Sequence, residues 1–310
     1  MNAYQRRCLP LICLGLFALS GASCPKTFLH PDSQPRALST APTLDQIIEV
    51  VNRNNSQIRS FSSNRASLSG PTLPTTLRAN IAFERPGRLR LRAETGITGP
   101  ELDLGSNDEL FWFWVRRNQP PAMYFCRHNQ FAASQARTMI PFEPAWLIEA
   151  LGIVELNPSL AYQGPYFLKN DRLRIDTIRE TPQGPATKVI LIDGARGWVL
   201  EQHLFDARRK LLASSAASGH RRDPLSGLVM PTAVQLNCPP AQLTLRIDLG
   251  NVEINRSLGD PASLWSMPSY PDTPIVDMGD PRFQPATVAA PPAAPANQPT
   301  TQSQWRRMAR

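Results

Sequence analysis

Histidine is scarce in this chain, and its four residues stand apart as His30, His128, His203 and His220. None falls into an H-E-x-x-H or comparable metal-binding spacing. There is no G-x-S-x-G elbow, no glycine-rich phosphate loop and no C-x-x-C pair. Glu101 and Asp103 flank Leu102 on what reads as an exposed strand face, not as an acid/base pair. "CRHNQ" sets Cys126 two residues before His128, on one face of an extended segment. Such neighbours before a polar turn read as structural rather than as a Cys–His nucleophile. No enzyme, metal or cofactor is expected.

Long apolar runs are missing too. The longest, Leu9 to Leu19, falls short of the roughly 20 residues that span a bilayer. It follows Arg6 and Arg7 and leads through small residues to Cys24, the order of a secretory signal; the competing reading is an N-terminal membrane anchor. The net charge of +8 and pI near 9.7 come from scattered basic residues, grouped only at Arg116-Arg117, Arg208 to Lys210 and Arg221-Arg222. No aromatic-plus-basic nucleic-acid module accompanies them, so no nucleic-acid partner is expected. Cysteines number five. Cys8 and Cys13 would leave with the signal; Cys126 and Cys238 could pair as a disulfide but read rather as two separate buried thiols.

What is present organises into four stretches: a signal over 1–23, a proline-bearing tether over 24–42, a folded body over 43–282, and a Pro/Ala-rich disordered tail over 283–310. The body opens with a helix in "TLDQIIEVVNRNNSQIRSF". Leu44, Ile47, Ile48, Val51 and Ile58 form its apolar stripe, and Thr43 with Gln46 forms a capping box. Then come alternating strands, "LRANIAF" and "RLRLRA", joined at "RPG", with Arg88, Arg90 and Arg92 on the wet face. Further strands follow at about 8 to 12 residues' spacing, as in an antiparallel meander. One break, "IPFEPAWLIEALGI", is a short and nearly all-apolar helix between Pro144 and Gly152, which should sit across an opening of the sheet.

"DELFWFWV" poses the sharpest question. Leu110, Trp112 and Trp114 take one face of this strand, and Phe111, Phe113 and Val115 the other, so both faces want cover. A curved shell of ten or more strands supplies it: one face points inward, and a helix or returning chain covers the other. The interior is then either a solid core or an apolar cavity with helices as its lid.

The order of these segments resembles the LolA/LolB-like family. The carrying motifs are Arg85-Pro86 with "GRLRL", the turn and strand "GSNDELFWFW", and the late segment "LWSMPSYPDTPIVDMG". The likeness spans residues 43 to 278. It implies an incomplete antiparallel β-barrel closed by the N-terminal amphipathic helix and the short apolar lid helix, around a cavity for acyl chains of lipids or lipoproteins. The cavity residues it implies are Leu77, Ile81, Phe83, Leu89, Leu91, Phe111, Trp112, Phe113, Trp114, Trp146, Leu147 and Leu151. Parity leaves open which face of 110–115 lines it. The resemblance also gives Arg85 control of the lid. Separately, Ala22-Ser23-Cys24 resembles a bacterial lipobox, which implies acylation of Cys24, export, and an anchor in the outer membrane facing the periplasm. The partners implied are acylated lipoproteins or lipids, the membrane through the lipid anchor, and a periplasmic carrier or inner-membrane exporter, with the chain a monomer. The alternatives on the same fold are an envelope sensor and a structural lipoprotein without cargo.

Overall fold

The computed structural model describes residues 35–285 except 74, 182 and 183. The signal segment, Cys24, most of the tether and the tail beyond 285 lie outside the described residues. The first helix, α1 (Leu44–Asn55), begins with the expected box: Gln46 N donates to Thr43 Oγ1 at 3.3 Å, and Thr43 N to Gln46 Oε1 at 3.0 Å. Two orphan donors of the first turn are thereby satisfied. The helix ends at Asn55, so Ile58 is not part of its stripe. The chain turns there into β1 (Ser60–Ser69), a strand the sequence reading ran over.

The remaining strands are β2 (Leu77–Glu84), β3 (Arg88–Thr95), β4 (Gly99–Ser106), β5 (Leu110–Val115) and β6 (Met123–Arg127). Three short helices follow: α2 (His128–Phe131), α3 (Ala136–Met139) and α4 (Ala145–Ala150). Then come β7 (Tyr162–Leu168), β8 (Arg172–Thr181), β9 (Gly184–Asp193), β10 (Val199–Phe205) and β11 (Leu211–Ser218). A small hairpin, β12 (Arg221–Arg222) with β13 (Val229–Met230), stands apart. The chain finishes with β14 (Ala233–Cys238), β15 (Leu243–Asp248), β16 (Glu253–Ile254), α5 (Pro261–Trp265) and β17 (Ile275–Asp277).

The large sheet runs β17-β6-β5-β4-β3-β2-β1-β15-β14-β11-β10-β9-β8-β7, with β16 on β1, and its two ends are not joined. The fold is therefore mainly β, an incomplete barrel with helices laid on its inner face. Its pairing departs from antiparallel once, where β17 lies parallel to β6. Register carries one apolar face along the sheet. Leu68 sits opposite Leu77, Ala79 opposite Ala93, Ile81 opposite Leu91, Leu91 opposite Leu104, and Leu104 opposite Phe113. On the other side of β1, Leu68 faces Ile247, and Ile247 faces Val234. Each of these strands alternates, so the inner side chains come every second residue.

The outer face of β3–β5 differs from expectation. Arg90 is 2% exposed, Glu101 5% and Asp103 0%, although all three were read as facing water. Over Arg90 and Asp103 the cause is the segment around α5 and Tyr270, which folds back over this face, where Trp112 and Trp114 pack with Met123, Met267 and Tyr270; Glu101 is engaged instead by Thr98 and Arg117. The ring of Trp114 stacks on Tyr270 at 4.5 Å. Returning chain is thus the cover for one side of "FWFWV".

Under that cover lies a polar knot. Arg90 Nη2 donates to Asp103 Oδ2 at 2.7 Å, and its Nη1 to the carbonyl of Ser266 at 2.8 Å. Trp112 Nε1 donates to Asp103 Oδ1 at 3.3 Å, and the Tyr270 hydroxyl to Asp103 Oδ2 at 2.7 Å. Burial, then the Asp103 carboxylate, push the Tyr270 hydroxyl pKa up, so it stays a donor. A buried charge must be paired or it is expensive, and here a strand arginine, a strand aspartate and the late segment pair with one another, with only Arg90 Nε left without a protein partner in the knot. Gly105 makes room: a Cβ there would meet the Trp112 ring at 2.2 Å.

Candidate functional site

The inner face is where the cavity residues were expected. Leu77, Ile81, Phe83, Leu89, Leu91, Trp146 and Leu151 belong to one buried cluster with Phe61, Leu236 and Ile247, and part-buried Leu147 packs against it. Phe111 and Phe113 share that face but pack toward Tyr124 and Phe131, under α2 and α3. Trp112 and Trp114 are a correction. Strand parity turns them to the outer face, and the folded-back segment seals them there.

The helix α4 occupies the concavity. Its Trp146 and Ile148, with Phe142 before and Leu151 after, are buried among strands from both arms of the sheet. This follows from composition, since Trp146, Ile148 and Ala150 are buried and Glu149 is the one charged side chain of the helix. Filling is nearly complete. The space left beneath α4, lined by Leu89, Leu104, Phe113, Ile140, Leu147 and Ile148, is about 40 Å³. Ligand pockets run from about 300 to 1,000 Å³, so no acyl chain fits in this closed arrangement.

What holds α4 in place is polar. Lys188 on β9 pairs with Glu149, and Gln202 on β10 donates to the Glu149 carbonyl at 3.0 Å. Among the described residues four side-chain polar atoms are buried without a protein partner, and two of them lie at α4, Trp146 Nε1 and Gln202 Oε1; the others are Arg90 Nε and Arg137 Nε. Leaving such groups unmade costs about 1–3 kcal/mol each.

The chain leaving α4 is stapled to α1 through asparagine side chains. Asn52 bonds both backbone groups of Leu156, donating at 2.8 Å and accepting at 2.8 Å. Asn55 donates to the Val154 carbonyl at 2.7 Å. Asn54 does the same for Val229 on β13, donating at 2.8 Å and accepting at 2.8 Å. An asparagine amide mimics a peptide group, donating and accepting at once, so it can stand in for a missing strand neighbour.

Arg85 closes this arrangement. It donates from Nη2 to the Asn55 carbonyl at 2.7 Å, from Nε to the Ile58 carbonyl at 2.8 Å, and from Nη1 to Glu155 at 3.1 Å. One guanidinium thus joins the C-terminal end of α1 to the segment that follows α4. Its positive charge also meets the negative end of the α1 dipole.

The Cys126–His128 pairing does not form. The thiol lies buried with Phe111 and Phe131 and contacts Ser134 Oγ at 3.8 Å. Burial pushes its pKa up, the wrong direction for a nucleophile. The His128 ring instead contacts the Asn107 carbonyl at 2.9 Å. Cys238 sits free in the inner-face cluster, and the two thiols are unbonded. Among the described residues no three His, Cys, Asp or Glu side chains form a metal-binding group, and no helix is long and apolar enough to cross a membrane.

No protein-family model matches the sequence, and no curated protein matches it. Solved structures do. A DUF1329 family protein from Desulfovibrio piger matches at 11% identity and TM-score 0.46, over 71% of this chain and 98% of its own. A domain assigned as an outer membrane lipoprotein-sorting protein from Vibrio parahaemolyticus matches at 8% identity and 0.47, over 70% and 95%. A LolA superfamily protein from Nitrosomonas europaea matches at 13% identity and 0.43, over 73% and 99%. The likeness is one of fold.

α4 and Arg85 are singled out by the sequence, whereas the asparagine staples are not. Their only signal was "NRNN" at the end of an otherwise amphipathic helix. The buried Arg90–Asp103 pair is not singled out either, since its cover lies more than 150 residues away in the chain.

Proposed function

We propose that the protein binds acyl chains of lipids or lipoproteins on its inner face, with α4 as a displaceable lid, and takes part in lipoprotein sorting to, or reception at, the outer membrane. The observation that carries this reading is α4 itself. An apolar helix fills the mouth of an open sheet, yet is tethered by Lys188, Gln202 and the Arg85 knot and leaves polar atoms unpaired beneath it.

Magnitudes agree. Moving Phe142, Trp146, Ile148 and Leu151 into water costs about 1.5–3 kcal/mol each, or about 6–12 kcal/mol together. Inserting one chain of about 16 carbons returns about 0.8 kcal/mol per CH₂, or about 13 kcal/mol. The two states are close enough for a small difference between partners to move cargo, and no covalent chemistry is required. A lipid anchor at Cys24 and a periplasm-facing location fit the same reading.

The test titrates the full chain with an environment-sensitive apolar dye, then adds a triacylated lipopeptide. Saturable binding with displacement supports the acyl site. A folded chain that takes up no dye overturns it and leaves a structural lipoprotein with a solid barrel.

A further inference from the structure

A second concavity lies where the α1 C-terminus, the turn before β10 and the β12–β13 hairpin meet. It is a cleft of about 260 Å³, larger than the space under α4. Its floor is apolar, built from Val51, Leu228, Val229 and Pro231. Three guanidinium groups stand around it, those of Arg53, Arg196 and Arg222, and none of the described residues that line it is acidic.

Each arginine has a partner an anion could supplant or share. Arg53 pairs with Glu49 at 2.7 Å, but the two side chains are 61% and 68% exposed. Surface pairs of this kind are weak, so exchange toward a better acceptor is easy. Arg196 pairs with Asp193 at 3.7 Å and lies over the Trp198 ring at 5.0 Å, and a ligand phosphate would share it with these partners. Arg222 donates from Nη1 to the Gly227 carbonyl at 2.5 Å, which leaves its other donors toward the cleft or solvent. His220 stacks on Trp198 at 4.8 Å, and burial holds its ring neutral down to about pH 4, so it adds no charge at neutral pH.

One feature opposes an anion here. The C-terminal end of α1 brings about half a negative charge to this end of the cleft. The Arg85 guanidinium, bonded to the Asn55 carbonyl at 2.7 Å, offsets it with a full positive one.

The cleft also adjoins the inner-face cluster. Leu228 lines the cleft and belongs to the same buried cluster as Trp146 and Leu151, and Gly152, directly after α4, forms part of the wall. A displacement of α4, which ends two residues before Gly152, would bear directly on this wall of the cleft. An apolar floor continuous with the core and a rim of three arginines match a molecule with an acyl chain and an anionic head. Arginine favours phosphate because its planar fork donates two parallel hydrogen bonds to it.

We propose that this cleft is the headgroup site for a phosphate-bearing acyl amphiphile whose chain enters beneath α4. The proposal rests on the acyl-binding reading and adds the chemical class of the ligand.

The experiment is calorimetric titration of the full chain with three probes: octyl phosphate, octanol and inorganic phosphate. Octyl phosphate is expected to bind at least about tenfold tighter than octanol at low salt. Arg53→Gln/Arg222→Gln and Arg196→Gln should each erode that advantage while leaving octanol affinity unchanged. Salt at about 0.5 M should erode it in the unaltered chain as well, a readout that needs no variant. Equal affinities for the two alkyl probes overturn the headgroup site and leave the acyl site standing. Inorganic phosphate binding as tightly as octyl phosphate overturns the amphiphile in favour of a free-anion site. Failure of both alkyl probes, with or without phosphate binding, overturns the acyl reading itself.

Discussion

Replacing Arg85 with methionine keeps the aliphatic stem and removes the guanidinium. Two charge-assisted bonds are lost, to the Asn55 and Ile58 carbonyls at 2.7 and 2.8 Å. Hydrogen bonds to charged groups are worth about 1.5–3 kcal/mol each, and the side chain is 27% exposed, so the lower end applies. The pair with Glu155, whose own side chain is 43% exposed, adds under about 1 kcal/mol. The expected loss is about 3–4 kcal/mol. If α4 is a lid, part of that loss falls on the closed state relative to the open one, because Arg85 bridges α1 and the segment that follows α4. The assay therefore has two arms on the full chain. Denaturant unfolding should show a lower midpoint with an unchanged slope, and the apolar dye should bind tighter, by about tenfold for each 1.4 kcal/mol shifted. Glu155→Gln, which removes only the exposed arm, should move both readouts in the same direction by much less. A lower midpoint with dye affinity unchanged would refute the reasoning and make Arg85 a brace of the fold alone.

Three further outcomes follow from the geometry. Asp103→Leu leaves Arg90 buried without its counter-charge and should cost about 3–5 kcal/mol in denaturant unfolding, whereas Arg90→Met/Asp103→Leu together should recover much of it. Gly105→Ala places a methyl group at 2.2 Å from the Trp112 ring and should lower the melting temperature, through overpacking of about 1–3 kcal/mol. His220 is held by burial at about 4 against its ordinary 6.5, so the unfolded chain binds the extra proton between those values. Its contribution is complete above about pH 6.5 and is lost as pH falls toward 4; His220→Asn should flatten the slope of stability against pH in that window.

Legibility followed the range of the forces involved. The α1 cap, the alternation of Leu77 to Leu91 and the apolar helix α4 are local patterns, and each stands where periodicity put it. β1 was hidden because Ser60, Ser62, Ser63, Asn64, Ser67 and Ser69 have little strand propensity. Its place is enforced by neighbours, with β2 on one side and β15 and β16 on the other. Arg90 and Asp103 looked solvated because nothing in their own strands announces a cover arriving with Leu264, Ser266 and Tyr270. The two faces of "FWFWV" could not be told apart for the same reason. The cleft arginines come from three separate stretches, so no spacing could have joined them.

The position of β1 has a kinetic consequence. It pairs with β2 nearby in the chain, but also with β15, where Leu68 meets Ile247. The inner-face cluster therefore cannot close until nearly the whole chain is present, and the loop-closure entropy of that pairing must be met before its contacts form. A chain delivered N-terminus first exposes β2 to β5, with their phenylalanines and tryptophans, while it waits for its last strands. Slow closure, with apolar strands exposed during that interval, is built into the strand order.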